Sequence, residues 1–360
     1  MKTENPSQFE TRKQDHVRIA MDPKVQTKSL SKLDHISLIH EALPELNFQE
    51  IDIRANPFGL QLSSPLFISS MTAGHTQGRE INLILAQAAQ ECGWMMGVGS
   101  QRKELDPVVA NESKNEWQAI RKKAPRAKLF GNLGLSQLIH TPVEQVLRLI
   151  ENLEAVGFFI HTNPLQEALQ PEGTPHFAGG LKALAELTEA VAKNFQIPVV
   201  LKEVGCGFSA GTLQKLQGLG LAAVDVSGLG GTHWGRVETG RTTDTQMRLV
   251  GQTYSNWGLS TLDSLAYAKD LADRGLISYQ VWASGGVRTG LDAAKLLAMG
   301  SEMVGLAQPL LQGALAEIQT KNPSLVPLMR RLDKELKIAL FCTGCENIST
   351  FRKKGVWKHD

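Results

Sequence analysis

From residue 65 onward the chain alternates between short apolar or β-branched runs and longer stretches of helical period. The short runs predict strands at PLFISSMT (65–72), WMMGV (94–98), KLFGNLG (128–134), FFIHTN (158–163), PVVLKEVG (198–205), AAVDVSG (222–228), YQVWASGG (279–286) and MVGLAQP (303–309). Between them, REINLILAQAAQECG, PVEQVLRLIENLEAVG, GGLKALAELTEAVAKNF, AGTLQKLQGLG, TLDSLAYAKDLADRG and TGLDAAKLLAMG predict helices. Several end on Gly, as helix C-termini often do. Eight strands, most followed by a helix, predict an α/β fold of the parallel (β/α)8 TIM-barrel class, with a doubly wound open sheet as the alternative. Polar and Gly-rich segments follow nearly every strand, which favours the barrel, whose catalytic face is built from such loops.

The predicted barrel covers 61–345. An N-terminal extension, 1–60, precedes it, and its first 20 residues are polar and expected to stay mobile until something orders them. After 310 the chain turns helical, with LLQGALAEIQ and PLMRRLDKELKIALFCTGC, and a tail follows at 346–360. Residues 228–257 read as one long loop. Loops beyond about 12–15 residues are often lids or binding segments.

Composition changes this picture little. Of 360 residues, 42% are hydrophobic and 21% charged, which is ordinary for a globular chain. A net charge of +2 gives no sign of a nucleic-acid partner. No apolar run is long enough for a membrane span, and the first 16 residues lack the apolar core of a secretory signal, so a cytoplasmic location is expected. Four cysteines do not make a disulfide framework. Cys342 and Cys345 have CxxC spacing, and buried thiols are favoured over a metal or redox pair.

Three groups of residues carry candidate chemistry. HTNPLQEALQPEG (161–173) follows a buried strand and sets His161, Asn163, Gln166 and Glu167 close together, with Pro164, Pro171 and Gly173 keeping much of it from being an ordinary helix. ASGGVRTGLDAAKLL (283–297) is a strand, a Gly pair and a helix. There Gly285 and Gly286 let backbone N–H groups approach a phosphate, and Arg288 adds charge. GLAQP, with Ala307 and Gln308, makes a second small-residue turn where barrels commonly bind phosphate; tight turns alone are the competing reading. The third group lies at the remaining strand ends: Met71, Thr72 and Ala73, then Ser100, Asn132 and Lys202, then Ser227 and Thr232. These would suit a flat cofactor rich in heteroatoms. Lys202 either faces the N1/C2 region of a flavin or pairs internally with Glu203 or Asp225.

Taken together, RKQDH (12–16), GVGSQR (97–102), HTNPLQEALQPEG, LKEVGCGFS (201–209), DVSGLGGTHW (225–234), NWGLST (256–261) and ASGGVRTG (283–290) resemble the type 2 isopentenyl diphosphate isomerase family. The likeness runs from Arg12 to about Cys345. It implies a barrel holding FMN, a diphosphate bound through Mg²⁺, NADPH or a similar donor to reduce the flavin, and interconversion of isopentenyl and dimethylallyl diphosphate. It also implies a homo-tetramer or homo-octamer. The chain departs from the family pattern at Thr162, at Ala73 and at His233, where a small residue is usual.

On this resemblance Glu167 is the expected metal ligand, since Mg²⁺ takes one or two carboxylates plus water and phosphate oxygens. Substrate would be held by Arg12, Lys13 and His16 as a basic clamp, by Ser100, Gln101 and Arg102, and by His161, Asn163 and Gln166. Arg102 should either grip phosphate or pair with an acid such as Glu167. Reduced FMN, through N5, is expected to do the proton chemistry, assisted by Gln166, with the Trp257 ring walling the carbocation-like state. Two other readings stay open: an FMN-dependent 2-hydroxy acid oxidoreductase, and a barrel that kept its fold but lost its chemistry.

Overall fold

The computed structural model describes residues 6–71 and 76–359. All eight predicted strands form, and they close into one parallel barrel in chain order. They are β1 (Leu66–Ile68), β2 (Met95–Gly97), β3 (Lys128–Gly134), β4 (Gly157–His161), β5 (Val199–Lys202), β6 (Ala223–Asp225), β7 (Gln280–Ser284) and β8 (Val304–Leu306). β8 pairs back onto β1 and completes the cylinder. The six predicted inter-strand helices are present, from Thr76–Cys92 to Gly290–Ala298.

Alternation along the strands decides which side chains enter the barrel. Phe67, Met95, Phe130, Phe159, Val200, Ala223, Trp282 and Met303 form one interior cluster. Their neighbours Leu66, Ile68, Phe158, Ile160, Val199, Leu201 and Val224 instead belong to the layer between strands and helices. Burying each large side chain fully contributes about 1.5–3 kcal/mol. Phe130 and Phe159 tilt together at 5.2 Å, Phe67 and Trp282 at 5.5 Å, and Phe58 stacks on Trp282 at 6.0 Å.

One pleat further along each strand the inward position changes character. Two residues after the apolar layer come Ser69, Gly97, Asn132, His161, Lys202, Asp225, Ser284 and Gly305. His161, Lys202 and Asp225 are direct neighbours in register across β4, β5 and β6. The same pleat that packs the barrel floor therefore builds a polar layer at its carboxyl end.

Three segments differ from expectation. Pro6–Ala20 is a helix, where a mobile polar stretch was expected. Val17, Ile19 and Ala20 bury an apolar face, and Arg12 and His16 are also buried, so its order comes from tertiary contacts that its polar composition hides. The long 228–257 segment holds two helices, Trp234–Arg241 and Thr245–Thr253, each capped by the residue before it. A helix at Pro107–Lys123 was not foreseen. The two ends of the chain meet, with Ile36–Leu38 pairing antiparallel to Trp357–His359.

Candidate active site

A cleft with an open mouth lies at the carboxyl ends of the strands. Most of the sequence-predicted residues line it. Arg12, Lys13 and His16 enter from the N-terminal helix. Met71, Ser100, Arg102, Asn132, His161 and Lys202 come from the first strand ends and their loops. Asn163, Gln166 and Glu167 come from the loop after β4. Ser227, Thr232, Gly285, Gly286, Arg288, Ala307 and Gln308 complete the far side. Thr72 and Ala73 lie outside the described residues.

Gln101 and Trp257 do not line the cleft. Gln101 is fully buried behind it. Its Oε1 accepts from the Asn132 N–H at 3.0 Å and its Nε2 donates to Glu104 at 3.1 Å. It braces β3 instead of offering a donor to a ligand. Burial pushes Glu104 up to about 7, against the hydrogen bonds from Trp117 and Gln101. Trp257 is 61% exposed, and what it contributes inward is its carbonyl. The indole in the cleft belongs to Trp234, edge-on to His16 at 5.1 Å.

The loop after β4 is locked from inside. A six-residue helix, Pro164–Leu169, starts at Asn163, with Pro164 at a first-turn position where its missing N–H costs nothing. Asn163 Nδ2 donates to Gln166 Oε1 at 2.9 Å and to Glu167 Oε1 at 3.2 Å. The Thr174 N–H donates to Glu167 Oε2 at 2.6 Å. Glu167 is 6% exposed, and each of its oxygens keeps a lone pair for another partner. Among the described residues Arg102 makes no ion pair with Glu167. No group of three or more His, Cys, Asp or Glu side chains suited to a metal is present among the described residues. A single carboxylate fits the sparse protein ligation of Mg²⁺, not a preformed cage.

Glu238 is the residue that sequence reasoning missed. It sits on the Trp234–Arg241 helix, wholly buried, and accepts from Gln166 Nε2 at 2.9 Å and from Arg241 at 2.5 Å, with His16 Nε2 at 2.8 Å. Arg241 also reaches Glu172 of the PEG turn at 3.2 Å. With its amide turned to pair both ends, Gln170 donates to Glu238 and accepts from Arg12, each at 3.2 Å. Burial alone would raise the Glu238 pKa. Its hydrogen bond with His16, the charges of His16 and Arg241, and the Gln166 amide outweigh burial and bring it down to about 2. Burial lowers His16 against the opposing pull of Glu238. The segment reads as a loop in the sequence and has no clear apolar stripe, so nothing local marked Glu238 as an acid that would turn inward.

The electrostatics along the strand ends follow from burial. Asn132 Nδ2 donates to Val98 O at 3.1 Å, so its Oδ1 faces His161 Nδ1 at 2.9 Å. The His161 proton therefore sits on Nδ1 and Nε2 is left as an acceptor. Burial, then the charges of Lys202 and Lys13, lowers His161 to about 3, so the ring is neutral. Lys202 Nζ donates to the Glu203 carbonyl at 2.7 Å and stands 3.9 Å from Asp225 while lining the cleft. Burial lowers its pKa, against Asp225 and Glu203. Lys202 thus combines an internal acid neighbour, Asp225, with a place on the cleft wall.

A phosphate-bearing flavin suits the far side. Among the described residues, the buried hydroxyls of Ser69 and Ser70, in the cleft, have no hydrogen-bond partner, and neither does the side-chain oxygen Oδ1 of Asn163. Buried polar atoms are seldom left this way unless a ligand or water completes them. The loops after β6 and β7 touch backbone to backbone. A Cβ on Gly286, which has φ +83°, would fall 2.7 Å from the Gly230 carbonyl carbon. Arg288 spends two N–H groups on the carbonyls of Gly286 and Gly230, so it braces this cradle as well as charging it. A capping box between Thr289 and Asp292 starts the helix behind.

Comparison with known proteins agrees with this geometry. The fold and site define a flavin-type (β/α)8 barrel, and the FMN-dependent dehydrogenase family matches residues 15–129 and 172–358. Solved neighbours share the fold at low identity. A flavocytochrome b2 mutant with pyruvate bound has TM-score 0.67 and 17% identity over 98% of this chain and 84% of that one. An active chimera of (S)-mandelate dehydrogenase has TM-score 0.66 and 16% identity over 99% of each chain. Much nearer in sequence is the isopentenyl-diphosphate delta-isomerase of Bdellovibrio bacteriovorus, 50% identical over 98% of this chain and 99% of its own. Those of Legionella pneumophila strain Corby (45%; 97% and 98% covered) and Archaeoglobus fulgidus (39%; 95% and 93% covered) follow. The chain belongs to the isopentenyl-diphosphate delta-isomerase family.

Proposed function

We propose that this protein interconverts isopentenyl and dimethylallyl diphosphate, using FMN that NADPH reduces and Mg²⁺ held through Glu167. The observation that carries this reading is that one cleft gathers two chemistries: Arg12, Lys13, Arg102, Asn163 and Glu167 line it together with Lys202 and the Gly285–Gly286 cradle. A diphosphate needs several cations, and a chain of net charge +2 must gather them locally. Glu167 adds the one carboxylate a diphosphate-bound Mg²⁺ needs from protein. When bound and reduced, FMN would supply a proton donor and acceptor without net redox change.

The chain's own residues orient and exclude. Gln166 is held by Asn163 and Glu238, so its amide presents a fixed direction to the reacting end of the substrate. Trp234, Val17, Ala20 and Met21 give that end an apolar wall, which keeps water from a reaction that protonates a weakly basic alkene. His161, neutral, would accept a hydrogen bond from a metal-bound water. We further propose a homo-tetramer or homo-octamer in the cytoplasm. Leu249, Val250, Tyr254 and Trp257, all exposed within nine residues, support an assembled state. No helix of the described residues is long and apolar enough to cross a membrane.

Anaerobic incubation with FMN, NADPH, Mg²⁺ and isopentenyl diphosphate should yield dimethylallyl diphosphate. No product from FMN-loaded protein, together with flavin reduction by 2-hydroxy acids, would overturn this reading in favour of the oxidoreductase one.

A further inference from the structure

We propose that His233 is a positioning residue: its neutral imidazole clamps the Trp234–Arg241 helix to the turn at Trp257 and so sets where Glu238 meets Gln166. The proposal deepens the isomerase reading, on which its kinetic part rests.

His233 is wholly buried, immediately before the helix that carries Trp234, Glu238 and Arg241. Its Nδ1 accepts from the Arg236 N–H at 3.1 Å, which caps the helix. A nitrogen that accepts from an N–H carries no proton, so the ring proton is on Nε2. That Nε2 lies 3.0 Å from the Trp257 carbonyl and donates to it. The His233 main chain adds a third tie, its N–H donating to Val25 O at 3.0 Å. Ser, Thr, Asn and Asp are the usual caps and satisfy helix N–H groups. None of them is long enough to cap the helix and reach across to a second segment as this imidazole does. Arg236 reinforces the same joint by donating to Ser255 O at 2.7 Å and Asn256 Oδ1 at 2.6 Å. One side of the helix is thus bolted to residues 255–257, while its other contacts hold Gln166 and His16.

The clamp works in one protonation state. A proton on Nδ1 would face the Arg236 N–H, abolish the cap and put a cation at the positive end of the helix. The groups around the ring do not offset this. From the loop after β5 comes the Cys206 thiol, its sulfur 3.8 Å from Nε2, and burial pushes its pKa up so that it stays neutral. From the ring's own helix comes the Arg236 guanidinium, which disfavours a second cation. The 255–257 turn presents the Trp257 carbonyl, and residue 25 contributes main chain. Burial lowers the His233 pKa, against the Trp257 carbonyl and with Arg236.

The test compares the FMN-loaded full-length parent with His233→Ser, which keeps a cap but loses the tie to Trp257, and His233→Ala, which loses both. Hydrogen exchange reads the clamp without reference to activity. Peptides over 234–242 should stay protected in the parent and His233→Ser, and exchange about tenfold faster in His233→Ala. Peptides over 254–258 should exchange faster in both variants. In the isomerase assay kcat should fall about tenfold or more in His233→Ala with KM within about threefold, and by an intermediate factor in His233→Ser, which keeps the cap but not the tie to Trp257. The parent should lose kcat more steeply on the acid side than His233→Ser, in which residue 233 cannot titrate and only the other cleft groups, His16 among them, remain to do so. Equal exchange over both segments in all three proteins, or kinetics and pH profile unchanged by either variant, would overturn the proposal. If His233→Ala fails to fold, the exchange at 254–258 and the pH profile of His233→Ser decide alone. If the parent shows no isomerase activity but the exchange pattern holds, the clamp stands and the functional reading fails.

Discussion

Replacing Glu238 by Gln removes one negative charge from a site with no solvent access and four donors aimed at it. The new amide keeps one acceptor but turns an N–H₂ group toward Arg241, His16 or Gln166, which are donors themselves. The fall of the Glu238 pKa from an ordinary 4.5 to about 2 corresponds to about 3 kcal/mol of folding free energy, at about 1.4 kcal/mol per pKa unit. Because the folded value lies below the unfolded one, this contribution is complete above the unfolded pKa and is lost as pH falls toward the folded value. Glu238→Gln should therefore lower Tm at neutral pH by about 6 °C, at roughly 2 °C per kcal/mol for a chain this long. The gap to the parent should shrink as pH approaches about 3. Gln166 loses its anchor at the same time, and a misplaced orienting group can cost about 10²-fold in kcat. Thermal unfolding across pH, beside isomerase kinetics at saturating Mg²⁺, measures both. An unchanged Tm at neutral pH, or a loss of the same size in acid, would refute the buried ion-pair argument. Full kcat in a destabilised variant would refute the link to Gln166.

Other changes probe the rest of the site and fold. Glu167→Gln should raise the Mg²⁺ concentration for half-maximal activity about tenfold or more while leaving FMN content unchanged; an unaltered Mg²⁺ titration would remove Glu167 from the metal. Trp234→Ala should lower kcat/KM about tenfold or more, whereas Trp257→Ala should stay within about twofold; the reverse order would restore Trp257 as the cleft wall. Asp333 accepts from Trp94 Nε1 at 3.0 Å, and burial lifts its pKa to about 6 against Ser64 and Trp94. A raised folded pKa contributes stability that is lost as pH rises through about 6, so Asp333→Asn should gain up to about 2 kcal/mol over the parent at neutral pH and little in acid. Denaturant unfolding at the two pH values checks this, and equal effects at both would count against it.

Strand and helix periodicity narrowed the fold to a barrel or a doubly wound sheet, and the polar and Gly-rich strand ends favoured the barrel. Each strand needs a local apolar run and each helix a local stripe, and the order of eight such pairs leaves few closed arrangements. The polar layer was legible for the same reason, because Asn132, His161 and Lys202 lie two residues beyond inward apolar residues of their own strands. The Gly285–Gly286 turn was legible because Gly pairs next to helix starts are local too. What periodicity could not decide was every contact made across the cleft. The N-terminal helix looks polar because its polar side faces a cavity, so its order depends on a surface that exists only once the barrel is closed. Gln101 and Trp257 sit beside working residues in sequence, yet a turn of backbone sends one behind β3 and the other to solvent. Glu238 and His233 act through partners 72 and 24 residues away. Their charge state and reach come from burial, which the folded chain confers and no local pattern records.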